Sequence, residues 1–553
     1  MDLDRLNVRD FLEEAVAENP DAPLLLWEDE VVSYAEFDAH VNRAAHMWHG
    51  LGVRRGDRVA FMVDNKPEFL YAWLGLAKLG ATLVAVNTGF KVTETAYLLE
   101  HSEARIALVD PHHGDMFAGL CAAGGPLERV LVLGDDPRFT SYQSLVDAAL
   151  PEAPPVDVAA NDVISFIYTS GTTGKPKAVM QTHRSFVMTG QAYPHWVNMA
   201  RGDRIYACLP LFHINSQAYS TMGAIGARGA IVLSPRFSAS RFWDDIRRHR
   251  VAVFNFIGAM TLILSKKEPA PDDLDNDVKV AYGVPALPGA LRRQLETRYG
   301  MRVISGFGMS ETTFGLVEPL DGECKDGSMG LPRSHPDPSV PRTEARVVDE
   351  EGRDLPDGVI GELVLRGPAL MAGYFHDPER TAESLRDGWL FTGDMAWRDK
   401  DGYYFFVDRK KDIIRRRGEN VSSLEVEDVL NEHPAVLESA VVGVPSDLTD
   451  EELFAFIVAR PDTDLDYEDL AAWAAERLAV FKVPRYYQRI DRLPKTDTQK
   501  IEKHTLRRIA EEPGERLDRD EGRRPAGGVG AAPVGTAPSP EHDDWRDAAP
   551  KAP

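Results

Sequence analysis

Asp162-Val-Ile-Ser-Phe-Ile-Tyr168 runs directly into Thr169-Ser170-Gly171-Thr172-Thr173-Gly174-Lys175-Pro176-Lys177. The first segment is short, apolar and bounded by turn-forming residues, which predicts a buried strand. The second consists of small, hydroxylated and glycine residues closed by two lysines. Small residues let backbone amides approach a phosphate, hydroxyls add donors, and lysines add charge. A Walker loop needs four residues between its first glycine and its Gly-Lys, followed by Ser or Thr. Here only Thr172 and Thr173 separate Gly171 from Gly174, and Pro176 follows Lys175. P-loop kinase and GTPase chemistry is therefore disfavoured. Composition alone leaves a flexible surface turn open as the bland alternative.

Outward from this stretch the chain alternates strand-like and helical runs. Phe69 to Leu79 predicts a helix and Ala81 to Val86 the strand after it. Ile205 to Leu209, Ala230 to Leu233, Val251 to Ile257, Val278 to Tyr282 and Val303 to Phe307 are short apolar strand candidates. Ala239–His249 and Pro288–Tyr299 carry helical patterns between some of them. Such alternation predicts α/β layers with largely parallel sheets. Residues 340–407 are richer in turns, with Glu362–Arg366 and Tyr403–Val407 as strands. Beyond a boundary at Asp408–Asp412, Leu437–Val444, Leu453–Val458 and the helical Leu470–Leu478 predict a small α+β unit. From Glu511 onward Pro, Gly, Ala and Asp dominate, a composition that predicts a disordered tail.

The chain has 553 residues, 43% hydrophobic and 27% charged, which is ordinary for a soluble globular protein. No apolar run approaches the roughly 20 residues of a bilayer span, and the charged start Met1 to Asp10 is not followed by a signal-like apolar stretch. A cytoplasmic protein is expected. Cys121, Cys208 and Cys324 are too scattered for a disulfide framework or a zinc site. A formal charge of -24 argues against a nucleic-acid surface.

The string Tyr168 to Lys177 resembles the signature of the adenylate-forming superfamily, which includes acyl-CoA synthetases, peptide-synthetase adenylation domains and luciferase. The resemblance extends over residues 10–505, with further motifs in the expected order. It implies an α/β fold: a large N-terminal domain of stacked α/β subdomains plus a β-rich subdomain (1–408), then a small mobile α+β C-terminal domain (409–510), before the tail 511–553. It also implies ATP, Mg2+ and coenzyme A as co-substrate, with a small-molecule acid. The oligomeric state is unread.

Ser305-Gly306-Phe307-Gly308-Met309-Ser310-Glu311-Thr312 resembles an aromatic-Gly-x-Thr-Glu element, with Ser310 for the commoner Thr. The resemblance gives Glu311, with Thr169, to magnesium, and Thr312 to the α-phosphate. The alternative is a helix start capped by Ser310. Gly283-Val284-Pro285 resembles a turn beside the adenine. Thr392-Gly393-Asp394 resembles the element whose carboxylate takes the ribose hydroxyls, a fitting use for an acceptor-only group. Arg409 is the implied second ribose or phosphate contact, and Lys411 the implied hinge. Arg417 stands where a glycine is frequent, in a hairpin that borders the thiol tunnel of the ligases. Leu493 to Ile501 resembles the C-terminal Pro-Lys-Thr-x-x-Gly-Lys element; Gln499 replaces its glycine, and Lys500 is the implied catalytic lysine. Leu209-Pro-Leu-Phe-His213 resembles a loop beside the acid, though a plain core or surface histidine is as good a reading. The acid pocket is expected to draw on His213, Asn215, Phe256, Gly258, Met260, Gly306 and Met309. Asn255-Phe-Ile-Gly-Ala-Met260 resembles the crotonobetaine/carnitine-CoA ligase branch.

The expected reaction joins an acid to AMP with loss of pyrophosphate and then passes the acyl group to coenzyme A. The alternatives are an amine acceptor, an unusual small acid such as nitrite, or an inactive nucleotide-binding scaffold.

Overall fold

The structure is a computed structural model that describes residues 2–169, 176–416, 419–446, 451–461, 463, 465–495, 501–512 and 516–519. Two large sheets organise it. The first has eight strands, in the order Gly373–Tyr374, Lys177–Thr182, Val163–Thr169, Thr82–Ala85, Arg58–Met62, Ile106–Val109, Arg129–Val132 and Thr140–Ser141. Val163–Thr169 runs parallel to Thr82–Ala85 and antiparallel to Lys177–Thr182. The helix Pro67–Ala77 connects neighbouring parallel strands and is apolar almost all round, because it is buried almost all round.

The second sheet has fourteen strands. Its middle is parallel: Ala230–Leu233, Arg204–Ala207, Val253–Ile257, Val280–Val284 and Arg302–Met309 lie side by side. These are the five apolar runs expected from sequence, displaced by no more than two residues at their starts. Helices Phe242–Arg248 and Gly289–Tyr299 cross between them, as expected. Past Met309 the sheet turns antiparallel through Thr312–Val317, Ser328–Pro332, Tyr404–Arg409, Trp389–Arg398, Gly361–Arg366 and Glu344–Val348.

The small C-terminal domain is built on a four-stranded sheet, Val436–Pro445, Glu451–Ala459, Tyr486–Arg489 and Leu517–Asp518, with helices Ser423–Asn431, Tyr467–Arg477 and Lys503–Glu511. The last strand revises the expected tail from Glu511. Leu517 and Asp518 pair with Tyr487 and Tyr486, and Asp518 takes both Arg485 donors at 2.8 and 2.9 Å. Composition misses this because two ladder residues, one ion pair and the single apolar side chain of Leu517 against the domain core fasten the segment. The rest of the expected tail, 520–553, lies outside the described residues. Among the described residues no helix is long and apolar enough to cross a membrane.

The strand Tyr404–Arg409 leads through the turn at Lys410–Asp412 to Ile413–Arg416. Beyond that turn the chain folds back. Asp408 accepts from Ser422 Oγ (3.3 Å), Ser423 Oγ (2.5 Å) and the Leu424 amide (3.2 Å), so its carboxylate sits on the start of the helix Ser423–Asn431. An anion there satisfies free amides and meets the positive end of the helix dipole.

Candidate active site

The opening stretch forms an antiparallel hairpin. Thr169 and Lys177 are cross-strand partners that close the loop, and Ser170, Gly171, Thr172, Thr173, Gly174 and Lys175 lie outside the described residues. Thr169 Oγ1 is buried with no partner among the described residues.

A second hairpin meets the first. Arg302–Met309 and Thr312–Val317 turn through Ser310-Glu311, so the capped helix start weighed from sequence is not what forms there. Tertiary pairing with Leu370 and Ala369 overrides the local capping signal. Gln181 Nε2 donates to Ser310 O at 2.6 Å, and the Met371 amide donates to Glu311 O at 2.8 Å. The backbone of the Ser310-Glu311 turn is therefore fixed from both sides. Lys177 Nζ lies 3.1 Å from Glu311 Oε1 and donates to Tyr374 Oη at 2.5 Å, while Tyr374 Oη donates to Glu311 Oε1 at 2.9 Å. Burial, with the Glu311 charge beside it, pushes the Tyr374 hydroxyl far above its ordinary pKa, so it remains a donor. The Thr312 hydroxyl is buried and engaged with Phe314 through both O (3.0 Å) and N (3.1 Å). These bonds buttress the turn.

Three further expected segments converge at the carboxyl ends of neighbouring parallel strands, the usual ligand edge of such sheets. Phe256 pairs with Gly283, Ile257 with Val284, and Gly283 with Ser305. Val284 thus lies between Ile257 on one side and the strand carrying Gly306 to Met309 on the other, and Gly258 packs beside Pro285. Glycine is required at two of these places. A Cβ on Gly283 would stand 2.3 Å from Phe256 O, and one on Gly306 would stand 2.7 Å from Leu316 O. Met260 is buried on the helix Gly258–Ser265 that follows.

His213 is half-buried, its ring 4.6 Å from that of Phe212. Its loop is pinned by the buried Asn65, which donates to Leu209 O at 2.9 Å and accepts the Leu211 amide at 2.8 Å. A π-helical turn, Asn215–Thr221, follows, a geometry frequent at functional sites. Asn215 Oδ1 accepts from Asn255 Nδ2 at 2.9 Å, and Asn255 Oδ1 accepts from Tyr193 Oη at 2.5 Å.

Asp394 and Arg409 are cross-strand partners whose side chains meet, Nε to Oδ1, at 2.6 Å. Asp394 is buried and Arg409 half exposed, which keeps the pair open on the arginine side. Lys411 is exposed in the turn after Arg409. Arg417, Gln499 and Lys500 lie outside the described residues.

Two residues were missed from sequence. Tyr374 carries no local signal beyond Gly373. Arg333 reads as a solvated charge but is buried at 1% exposure. It donates to Leu316 O (3.0 Å), Thr313 O (3.2 Å) and the hydroxyls of Tyr219 (2.9 Å) and Tyr282. Its guanidinium lies 4.8, 5.3 and 5.1 Å from the ring centres of Trp196, Tyr219 and Tyr282. Among the described residues no carboxylate pairs with it. Carbonyl dipoles and ring faces carry the charge instead. A Cβ on Gly306 would come within 2.8 Å of Arg333 Nη2, so this cation stands directly behind the Gly306 backbone.

Comparison with known proteins places the chain in a family. Residues 12–375 match the AMP-binding enzyme family, and residues 425–500 match the AMP-binding enzyme C-terminal domain. The chain is 32% identical over 492 residues to the crotonobetaine/carnitine–CoA ligase of Salmonella typhimurium, covering 86% of this chain and 93% of that one. Its fold resembles ATP-bound MatB from Rhodopseudomonas palustris, with a TM-score of 0.82 and 26% identity over 91% of this chain and 99% of that one. It also resembles O-succinylbenzoate coenzyme A synthetase (MenE) from Bacillus subtilis in complex with AMP, with a TM-score of 0.80 and 26% identity over 92% and 99%. With both family matches in order along one chain and a curated relative 32% identical over most of its length, the protein belongs to the AMP-binding enzyme family.

Proposed function

We propose that this chain activates a carboxylic acid as its acyl-adenylate at the junction of the two hairpins and then hands the acyl group to coenzyme A. It is an AMP-forming acid–CoA ligase, in keeping with its family and with the ligases it resembles. The observation that carries the site assignment is the Lys177–Tyr374–Glu311 cluster, which ties the phosphate hairpin to the Glu311 turn.

A carboxylate is a poor electrophile because its leaving group would be oxide. In the first half-reaction its oxygen attacks the α-phosphorus of ATP, and the bond to pyrophosphate breaks. In the second, the thiol of coenzyme A attacks the acyl carbon and AMP leaves. Two anions must meet in the first step, so electrostatic positioning is the dominant catalytic contribution. Ser170, Gly171, Thr172, Thr173, Gly174 and Lys175 are assigned to the β- and γ-phosphates. Gly283, Val284 and Pro285 are assigned to the adenine, Asp394 and Arg409 to the ribose, and Gly306 to Gly308 to the adenylate. Lys500 is assigned to bridge the carboxylate and α-phosphate oxygens. His213, Phe256, Gly258 and Met309 are assigned to the acid.

Mg2+ fits the residues present. Glu311 offers a carboxylate, and Thr169 a buried hydroxyl unpartnered among the described residues; both are the hard oxygen donors this ion requires. Bound there, Mg2+ would neutralise charge on the outer phosphates. Lys500 lies in the C-terminal match and the phosphate hairpin in the N-terminal one, so the first step needs the domains brought together. Lys411 is assigned as the hinge for the change of partner between steps.

The test is to incubate the protein with ATP and a panel of acids, with and without coenzyme A, and to follow products by mass spectrometry. Acyl-adenylate without coenzyme A and thioester with it are expected for at least one acid. AMP release with no thioester from any acid would remove the second half of the proposal, and no AMP at all would remove the first.

A further inference from the structure

The helix Val92–Ser102 lies beside the phosphate hairpin and has no part in the chemistry assigned above. Tyr97 and His101 are four residues apart, so they share one face of it. Tyr97 Oη donates to Pro176 O at 3.0 Å. His101 Nδ1 hydrogen-bonds the Tyr168 hydroxyl at 2.9 Å. Tyr168 immediately precedes Thr169, and Pro176 immediately precedes Lys177. One helix face therefore holds both chain ends between which the phosphate loop is strung. The same His101 ring meets Phe375 edge-on, centres 6.0 Å apart, and Phe375 follows Tyr374, the donor to Glu311. Phe375 is fastened in turn by its amide to Ala178 O at 3.0 Å and by its ring to Phe166 at 4.7 Å.

The Tyr97 ring packs against the same cluster as Leu98 and Leu99, but its hydroxyl and the His101 ring nitrogen add nothing to that packing. Leu98 and Leu99 of the same helix are buried and already seat it on the sheet. Tyr97 and His101 are only half-buried, and both direct polar atoms at the hairpin.

We propose that Tyr97 and His101 are positioning residues for the triphosphate. By fixing Tyr168 and Pro176, and through Phe375 the Tyr374–Glu311 contact, they hold in place Thr169, Lys177 and Glu311, which flank the outer phosphates in the proposed function. The inference rests on the assignment of the loop to those phosphates. It separates the two half-reactions, because the second involves no triphosphate.

The experiment uses the full chain with an acid found in the panel above, and compares Tyr97→Phe, His101→Leu and His101→Asn. Each lost hydrogen bond is expected to raise the KM for ATP in adenylation about three- to tenfold. The KM for the acid, and thioester formation from the supplied acyl-adenylate, stay at the parent values. His101→Asn, whose amide places polar atoms near the position of Nδ1, recovers most of the loss suffered by His101→Leu. An unchanged KM for ATP in both Tyr97→Phe and His101→Leu would overturn the inference. So would equal losses in both half-reactions with a lowered Tm, the mark of a packing role. Lys175→Ala separates this inference from its premise. A normal KM for ATP in Lys175→Ala sinks the loop assignment itself, whereas a raised one beside normal values in both Tyr97→Phe and His101→Leu sinks only the role of the helix.

Discussion

Tyr374 Oη donates to Glu311 Oε1 at 2.9 Å while receiving Lys177 at 2.5 Å, so one hydroxyl aligns the carboxylate of one hairpin with the ammonium of the other. Removing it in Tyr374→Phe keeps the ring and its packing. A hydrogen bond to a charged group is worth about 1.5–3 kcal/mol, so the KM for ATP should rise about tenfold or more. Steady-state adenylation kinetics over a range of ATP concentrations measures this. A variant indistinguishable from the parent would show that Glu311 is oriented by its backbone alone.

Lys500→Ala removes a charge used mainly in the transition state of the first step. By analogy with the loss of one oxyanion donor, the adenylation rate should fall on the order of a hundred- to a thousandfold. Pyrophosphate release reads this directly. Thioester formation from a supplied adenylate should be affected far less, and normal adenylation would eliminate Lys500 as the bridging group.

Lys411→Pro stiffens the turn that follows Arg409, where the Arg507 guanidinium also reaches the Lys411 carbonyl at 3.1 Å. Proline restricts φ at its own position and disfavours the α region before it. The second half-reaction should slow more than the first, measured separately by single-turnover assays. Equal loss in both would argue against a hinge at this residue.

His183 is buried and accepts the Val8 amide at Nδ1, 3.1 Å. Burial pushes its pKa down to about 4 from an ordinary 6.5. The unfolded chain therefore binds this proton first as pH falls. The stability His183 contributes is whole above pH ~6.5 and is lost progressively as pH drops towards ~4, on the order of 3 kcal/mol in total. Urea unfolding at several pH values should show this slope. His183→Asn, which keeps an acceptor but cannot titrate, should flatten it, and a slope unchanged in that variant would place the effect elsewhere.

Arg333→Met should destabilise the fold strongly. The substitution leaves Leu316 O and the Tyr282 hydroxyl without the buried donor that now serves them and empties an aromatic cage. A loss of about 2–4 kcal/mol is expected from the buried acceptors left without a donor. Denaturant midpoints measure it. A loss under about 1 kcal/mol would mean that the cage collapses onto the methionine without strain.

The parallel core was readable because its strands are continuous apolar runs, the mark of strands buried on both faces. Ala230–Leu233 coincides with the expected strand, and Val253–Ile257 differs only at its start. Glu311 was singled out as a residue, but its hairpin was not readable: Ser followed by Glu is also a helix cap, and only pairing with a segment near Leu370 decides between them. Tyr374 and Arg333 were invisible for a related reason. Their partners stand 63 residues away at Glu311 and 114 away at Tyr219, and neither spacing leaves a periodic trace. The strand Leu517–Asp518 was lost inside a tail whose composition reads as disordered.

The phosphate hairpin belongs to the eight-stranded sheet, whereas Glu311, Gly283 and Asp394 belong to the fourteen-stranded one. A nucleotide held as proposed is therefore a cross-link between two separately hydrogen-bonded layers. Binding to the folded form adds RT ln(1 + [L]/Kd), about 2.7 kcal/mol at a hundredfold excess over Kd. The two layers already share one hydrophobic core, with Val59 and Leu83 of the first in the same buried cluster as Ile205 and Val253 of the second. A nucleotide held as proposed adds polar links between layers that apolar packing has joined, so the reactant doubles as a rivet of the fold.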